Sequence, residues 1–264
     1  MTFVNKVVVI TGGGSGFGAT TALQFADLSA RLSLIDIDEE NLKKSAEICE
    51  KASRNKVLTI KADLTKDQEV QQAIEKTVKE YGRIDVLVNN AGIGRKGTII
   101  DDDVLKNFDE AMAINMRAIV ATCHYAAPHL IETKGNIVNI SSVAATTVGT
   151  NVPYSVSKAC VSHYTRCLAL ELAFKGVRVN AILPSACETP ILRHLGKIAA
   201  DNFCKAAKRV SPMQKLIKME DVAEMIVYLA SDKANCITGV NYVIDTGTAL
   251  SGWKVSSRYL EEEN

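Results

Sequence analysis

The chain has 264 residues, 47% of them apolar and 23% charged, which is enough to bury a sizeable core in one α/β domain. A net charge of +1 without long blocks of like sign gives no electrostatic handle for nucleic acid or an anionic membrane, so a small-molecule substrate is expected. No apolar run approaches the roughly 18 residues that span a bilayer, and the strand-like VVVIT follows Met1 too closely for a signal peptide, so a cytoplasmic location is expected.

In chain order, short β-branched runs alternate with stretches of helical periodicity. The runs are KVVVIT, RLSLID, KVLTIK, RIDVLVN, GNIVNIS, GVRVNAIL and VNYVID. Near-continuous apolar strands joined by crossover helices predict a doubly wound parallel sheet of seven strands, with helices on both faces and ligands bound beyond the carboxyl ends of the strands. A single domain over 1–264 is expected, interrupted by an irregular or partly helical insertion at about 184–212 and ended by a tail at about 250–264.

The first strand runs into TGGGSGFG, in which Gly12, Gly16 and Gly18 allow a tight turn and close approach of backbone amides to a pyrophosphate at a helix N-terminus. Asp36 ends the second strand, about 20 residues on, where a carboxylate accepts hydrogen bonds from an adenosine ribose and repels a 2′-phosphate. That favours NAD over NADP; the competing reading makes Asp36 a cap for the next helix, a role open to Asp38 as well. Further on, Tyr154 and Lys158 fall one helical turn apart behind Pro153, on one face. The seven cysteines (Cys49, Cys123, Cys160, Cys167, Cys187, Cys204, Cys236) form no Cys-x-x-Cys pair, which suits reduced thiols. The four histidines show no ligand spacing, and no metal is expected.

The glycine turn, NNAG at 89–92, Asn115 in INMRA, NISS at 139–142, and the Tyr154/Lys158 pair together resemble the short-chain dehydrogenase/reductase family, over about residues 6–247. The resemblance implies a Rossmann fold and hydride transfer between NAD and a secondary alcohol or ketone. Tyr154 would pass the proton, Lys158 would hold the nicotinamide ribose and ease phenol ionisation, and Asn115 would anchor a proton-relay water. Cofactor contacts are expected at Gly12, Ser15, Gly16, Phe17, Gly18, Asp36, Ile37, Asp63, Leu64, Asn90, Ala91, Gly92, Tyr154, Lys158, Pro184 and Thr189. The serine that orients the substrate oxygen is Ser141 if the usual thirteen-residue count to the tyrosine holds, or Ser142 if SSVAA is matched to the common Ser-Ser-x-Ala-Gly pattern; neighbours on a strand face opposite ways, and Ser142 is preferred. Pro184-Ser185 and DTG at 245–247 depart from the family's usual Pro-Gly and Asp-Gly-Gly.

Ile191, Leu192, Leu195, Ile198 and Phe203 would line an apolar pocket or pack on the body, and the former suits a steroid, terpenoid, fatty or aromatic alcohol. A 3-oxoacyl thioester reductase is the alternative, with Arg193, Lys197, Lys205, Lys208 and Arg209 meeting an acidic carrier. A third reading, of another class, is an NAD(H)-binding protein that acts through its interfaces without catalysis. The family also implies a homo-oligomer, a tetramer or a dimer, paired through helices at 107–133 and 154–175.

Overall fold

The computed structural model describes residues 1–53, 55–149 and 151–251, without the side chains of 193–195 and 251. All seven expected strands form: β1 Val7–Thr11, β2 Arg31–Asp36, β3 Leu58–Lys61, β4 Val86–Asn89, β5 Asn136–Ile140, β6 Arg178–Pro184 and β7 Asn241–Ile244. They pair in parallel throughout, in the order β3-β2-β1-β4-β5-β6-β7. The order reverses between β1 and β4, which opens a crevice at the carboxyl end of the sheet.

The intervening helices are α1 Gly16–Asp27, α2 Glu39–Ser53, α3 Asp67–Tyr81, α4 Val104–Met112, α5 Ala118–Thr133, α6 Val152–Ala173, α7 Lys197–Val210, α8 Met219–Ala230 and the short α9 Thr248–Ser251. Strand side chains alternate between two cores, because successive Cβ atoms point to opposite faces. Val8, Ile10, Leu32, Leu34, Val86 and Val88 pack with Phe25, Leu42 and Ile226 on the face covered by α1, α2 and α8. Val9, Ile35, Leu87 and Ile137 pack with Ile74, Leu130 and Val161 on the face of α3, α5 and α6. Burial on both faces explains why these strands read as continuous apolar runs.

Two segments need detail, and the first differs from expectation. The helix expected over 107–133 starts at Val104 and is interrupted by a π-helical turn, Ala113–Arg117, that carries Asn115; such insertions are frequent at functional sites. The insertion after β6 is a 3₁₀ segment, Pro190–Leu195, followed by the regular helix α7. The tail beyond residue 251, and the side chains of Arg193 and Leu195, lie outside the described residues.

Candidate active site

A cavity of about 760 Å³ lies across the carboxyl ends of the strands. Its walls come from the residues just after β1 to β6, from α6, from the region of α7, and from Thr246 and Thr248 beyond β7.

At one end the glycine turn is shaped by contact. Gly12 has φ +65°, and a Cβ there would meet Asn90 Nδ2 at 2.8 Å and Ala91 Cα at 2.9 Å, so no other residue fits without displacement. Asn90 Nδ2 donates to the carbonyls of Thr11 and Gly12, both at 3.0 Å, and braces the turn. Asp36 accepts from Gly14 N at 2.9 Å and from Asp38 N at 3.0 Å, while Asp38 accepts from Asn41 N at 3.1 Å at the start of α2. The helix-capping alternative for Asp36 is therefore replaced by Asp38, and Asp36 lies on the cavity wall tied to the glycine turn.

All but one of the expected cofactor contacts line this cavity. Gly18 does not: a Cβ there would stand 2.1 Å from Gly12 O and 2.5 Å from Asn90 Nδ2, so it is where α1 presses against the turn. Leu64 is largely buried, and Thr189 lines the wall over Gly16, where a Cβ would pass 3.8 Å from the Thr189 side chain.

At the other end Tyr154 and Lys158 project from the first turns of α6. Lys158 is buried, its Nζ donating to Ile140 O at 2.8 Å and lying 5.8 Å from the Tyr154 ring centroid. Burial pushes its pKa down from the usual lysine value to about 8. Burial raises the Tyr154 phenol, and the neighbouring Ser142 hydroxyl opposes this.

The two serines are used differently. Ser141 Oγ donates to Lys158 O at 2.8 Å and meets Ser162 Oγ at 2.8 Å, which ties β5 to α6. Ser142 accepts from Ala144 N at 3.2 Å, reaches Pro184 O at 3.4 Å, and shares the cavity wall with Tyr154. Asn115 is fully buried and off the cavity wall. Its side chain accepts from Ile93 N at 2.8 Å and donates to Ile93 O and Ser157 Oγ, both at 3.0 Å. Gly92 brings the ends together, since a Cβ on it would stand 3.2 Å from Asn115 Oδ1 and 3.4 Å from Lys158 Nζ.

On the outer wall Ile191, Leu192 and Phe203 face the cavity, but Ile198 is 79% exposed and does not. Lys197, Lys205, Lys208 and Arg209 are exposed and off the cavity wall. Sequence reasoning missed Arg95, Lys96, Cys187, Lys215 and Thr246, which line it. Four of these follow strand ends within a few residues, so the carboxyl-end rule could have found them; Lys215, between α7 and α8, had no such signal. Burial pushes the Cys187 thiol up to about 12, so it stays protonated at neutral pH. Among the described residues no cluster of side chains could hold a metal, and no helix is long and apolar enough to cross a membrane.

The family model described as Enoyl-(Acyl carrier protein) reductase matches residues 12–249. The chain is 37% identical over 253 residues to a Thermotoga maritima protein named only as an oxidoreductase, covering 94% of this chain and 99% of that one. It is 35% identical to the 3-oxoacyl-[acyl-carrier-protein] reductase of the same organism, covering 95% and 100%. The crystal structure of a 3-ketoacyl-(acyl-carrier-protein) reductase from Brucella melitensis, complexed with NADH, superposes with a TM-score of 0.84 at 32% identity, covering 93% and 99%.

Proposed function

Because the chain belongs to the short-chain dehydrogenase/reductase family, we propose that it is an NAD-dependent enzyme that interconverts a secondary alcohol and its ketone. The observation that carries this reading is the convergence of Ser142, Tyr154 and Lys158 on one cavity that also holds the glycine turn and Asp36.

The residues present fit a dinucleotide. Close backbone approach at Gly12, a helix N-terminus behind it and a carboxylate at the end of β2 suit a pyrophosphate and an adenosine ribose. When bound, NAD supplies the hydride acceptor. Tyr154 takes the hydroxyl proton as the alcohol becomes a ketone, and returns one in the reverse direction. Ser142, on the same cavity wall as that phenol, holds the substrate oxygen and favours charge on it. Lys158, held by Ile140 O, presents an ammonium beside that phenol and to the nicotinamide ribose. Asn115 positions: it locks the segment after β4 to Ser157, which itself donates to Tyr154 O at 2.7 Å. A proton relay through this region is part of the proposal, with Asn115 setting its geometry. The apolar wall at Ile191, Leu192 and Phe203 supports a hydrophobic substrate.

The relatives named as 3-oxoacyl and 3-ketoacyl reductases support a 3-oxoacyl thioester as the second substrate reading. The exposed position of the basic side chains of α7 leaves them free to meet an acidic carrier, whereas Asp36 opposes the phosphorylated cofactor common in reductive biosynthesis.

A panel of secondary alcohols and ketones, followed by NADH absorbance, tests the reading in wild type and in Tyr154→Phe. Turnover should appear with at least one substrate and fall by about 10²–10⁴-fold in the variant, with NAD affinity retained. Inactivity across the panel with tight NAD binding would favour a non-catalytic NAD(H)-binding protein.

A further inference from the structure

The cavity is electrically lopsided in a way that hydride transfer does not use. Its lining carboxylates, Asp36 and Asp63, both sit at the adenosine end, just after β2 and β3. The rest of the lining contains Arg95, Lys96 and Lys215 besides Lys158, and no Asp or Glu. Arg95 is neutralised by Glu110. Lys96 and Lys215 make no ion pair with any described residue.

Their backbones are fixed from two directions. Gly97, next to Lys96, accepts from Val152 N at 3.2 Å at the start of α6, two residues before Tyr154. Lys215 is tied to the segment beyond β7, where Thr246 Oγ1 bonds Lys215 O at 3.3 Å and Ser211 Oγ at 2.6 Å. Thr246 does this at φ +55°, a left-handed conformation that a β-branched residue adopts only under constraint. In the strand order, β5 and β6 lie between β4 and β7. The segment carrying Lys96 follows β4, and the one holding Lys215 follows β7. The two segments therefore lie on either side of Ser142, which follows β5, and both lysines line the same cavity.

We propose that the substrate is an amphipathic organic anion: a secondary alcohol or ketone whose carboxylate is held by Lys96 and Lys215 while its hydrocarbon lies on Ile191, Leu192 and Phe203. This rests on the hydride-transfer reading and narrows its substrate class.

The test compares 3-hydroxydecanoate with its methyl ester, the same skeleton without the charge. Turnover with NAD is read by NADH absorbance, and binding to the protein–NADH complex is read separately by fluorescence. Wild type should prefer the acid in both assays by about fivefold at low salt, as two exposed charges provide. In the double variant Lys96→Gln/Lys215→Gln the ratio should fall to within about twofold, with ester binding unchanged. Salt at about 1 M, where the screening length is about 3 Å, should erase the preference in wild type. Equal binding of acid and ester, binding of neither, or a preference that survives in the double variant would overturn the anion site. Selective binding of the acid without turnover of either compound would support the anion site and count instead against hydride transfer.

Discussion

Replacing Lys158 by methionine should make the protein more stable and less able to hold its cofactor. The ammonium is buried, and burial alone lowers its pKa from 10.5 to about 8. A depressed pKa on a base means that the fold disfavours the charged form, so the penalty is full below pH 8, shrinks between pH 8 and 10.5, and is absent above. The gap of 10.5 − 8 = 2.5 units, at about 1.4 kcal/mol each, corresponds to about 3 kcal/mol at pH 7. Methionine removes that cost but orphans Ile140 O, which accepts from Nζ at 2.8 Å; an unsatisfied buried carbonyl costs about 1–3 kcal/mol. The net gain is about 0–2 kcal/mol, or up to about 8 °C in Tm for a chain of this size. Thermal unfolding of wild type and variant without NAD, at pH 7 and again near pH 10, reads the difference. It should narrow at the higher pH, and cofactor titration by fluorescence should show weaker binding. A variant less stable than wild type at pH 7, or a difference indifferent to pH, would refute the assignment of the lysine as a destabilising buried charge.

Ser142→Ala should cost about 10²–10³-fold in turnover, as loss of an oxyanion donor does, while Ser141→Ala should stay within a few-fold in turnover but lower Tm, because its hydroxyl joins β5 to α6. NAD(H) should bind at least about tenfold tighter than NADP(H) by fluorescence titration, and Asp36→Ala should shrink that ratio, since a carboxylate facing a 2′-phosphate is the source of the discrimination. Sedimentation at micromolar concentration should show a homotetramer: Met116 of the π turn and Val156, Ala159 and Tyr164 of α6 line an apolar depression that a second copy would cover, and a clean monomer would count against it.

The sheet was legible because each strand is buried on both faces, which leaves uninterrupted runs such as VVVIT and no ambiguity of face. The glycine turn and the Tyr154/Lys158 pair were legible for a different reason: both are fixed by local geometry, a positive φ at Gly12 and one turn of helix. What sequence could not supply was the long-range partner. Nothing in INMRA announces a π turn, nor that Asn115 would spend its amide on Ile93, 22 residues earlier. Helical spacing grouped Ile198 with Ile191, yet Ile191 lies in a 3₁₀ segment that Gly196 divides from α7, and the change of phase turns Ile198 to solvent. Burial likewise had to be seen before the Tyr154 phenol could be assigned a raised pKa, because proximity to a cation alone argues the opposite way.

The serine ambiguity shows how register turns a one-residue difference into chemistry. β5 pairs with β6 from Asn136↔Arg178 to Ile140↔Ile182, and Ser141 N continues the ladder to Ile182 O at 2.8 Å. The pleat is thus fixed one residue past the strand's end, and Ser141 must point toward α6, where Lys158 O and Ser162 wait. Ser142 is forced the other way, to the cavity and Tyr154. Counting back from the tyrosine cannot see this, because the 3₁₀ turn Val143–Ala145 follows Ser142 directly and the length of chain between that turn and α6 is unconstrained by the sheet. The sheet and α6 set where each serine points. A loop shorter by one residue leaves both hydroxyls where the pleat puts them, so the strand, and not the distance along the chain, decides which serine can meet a substrate oxygen.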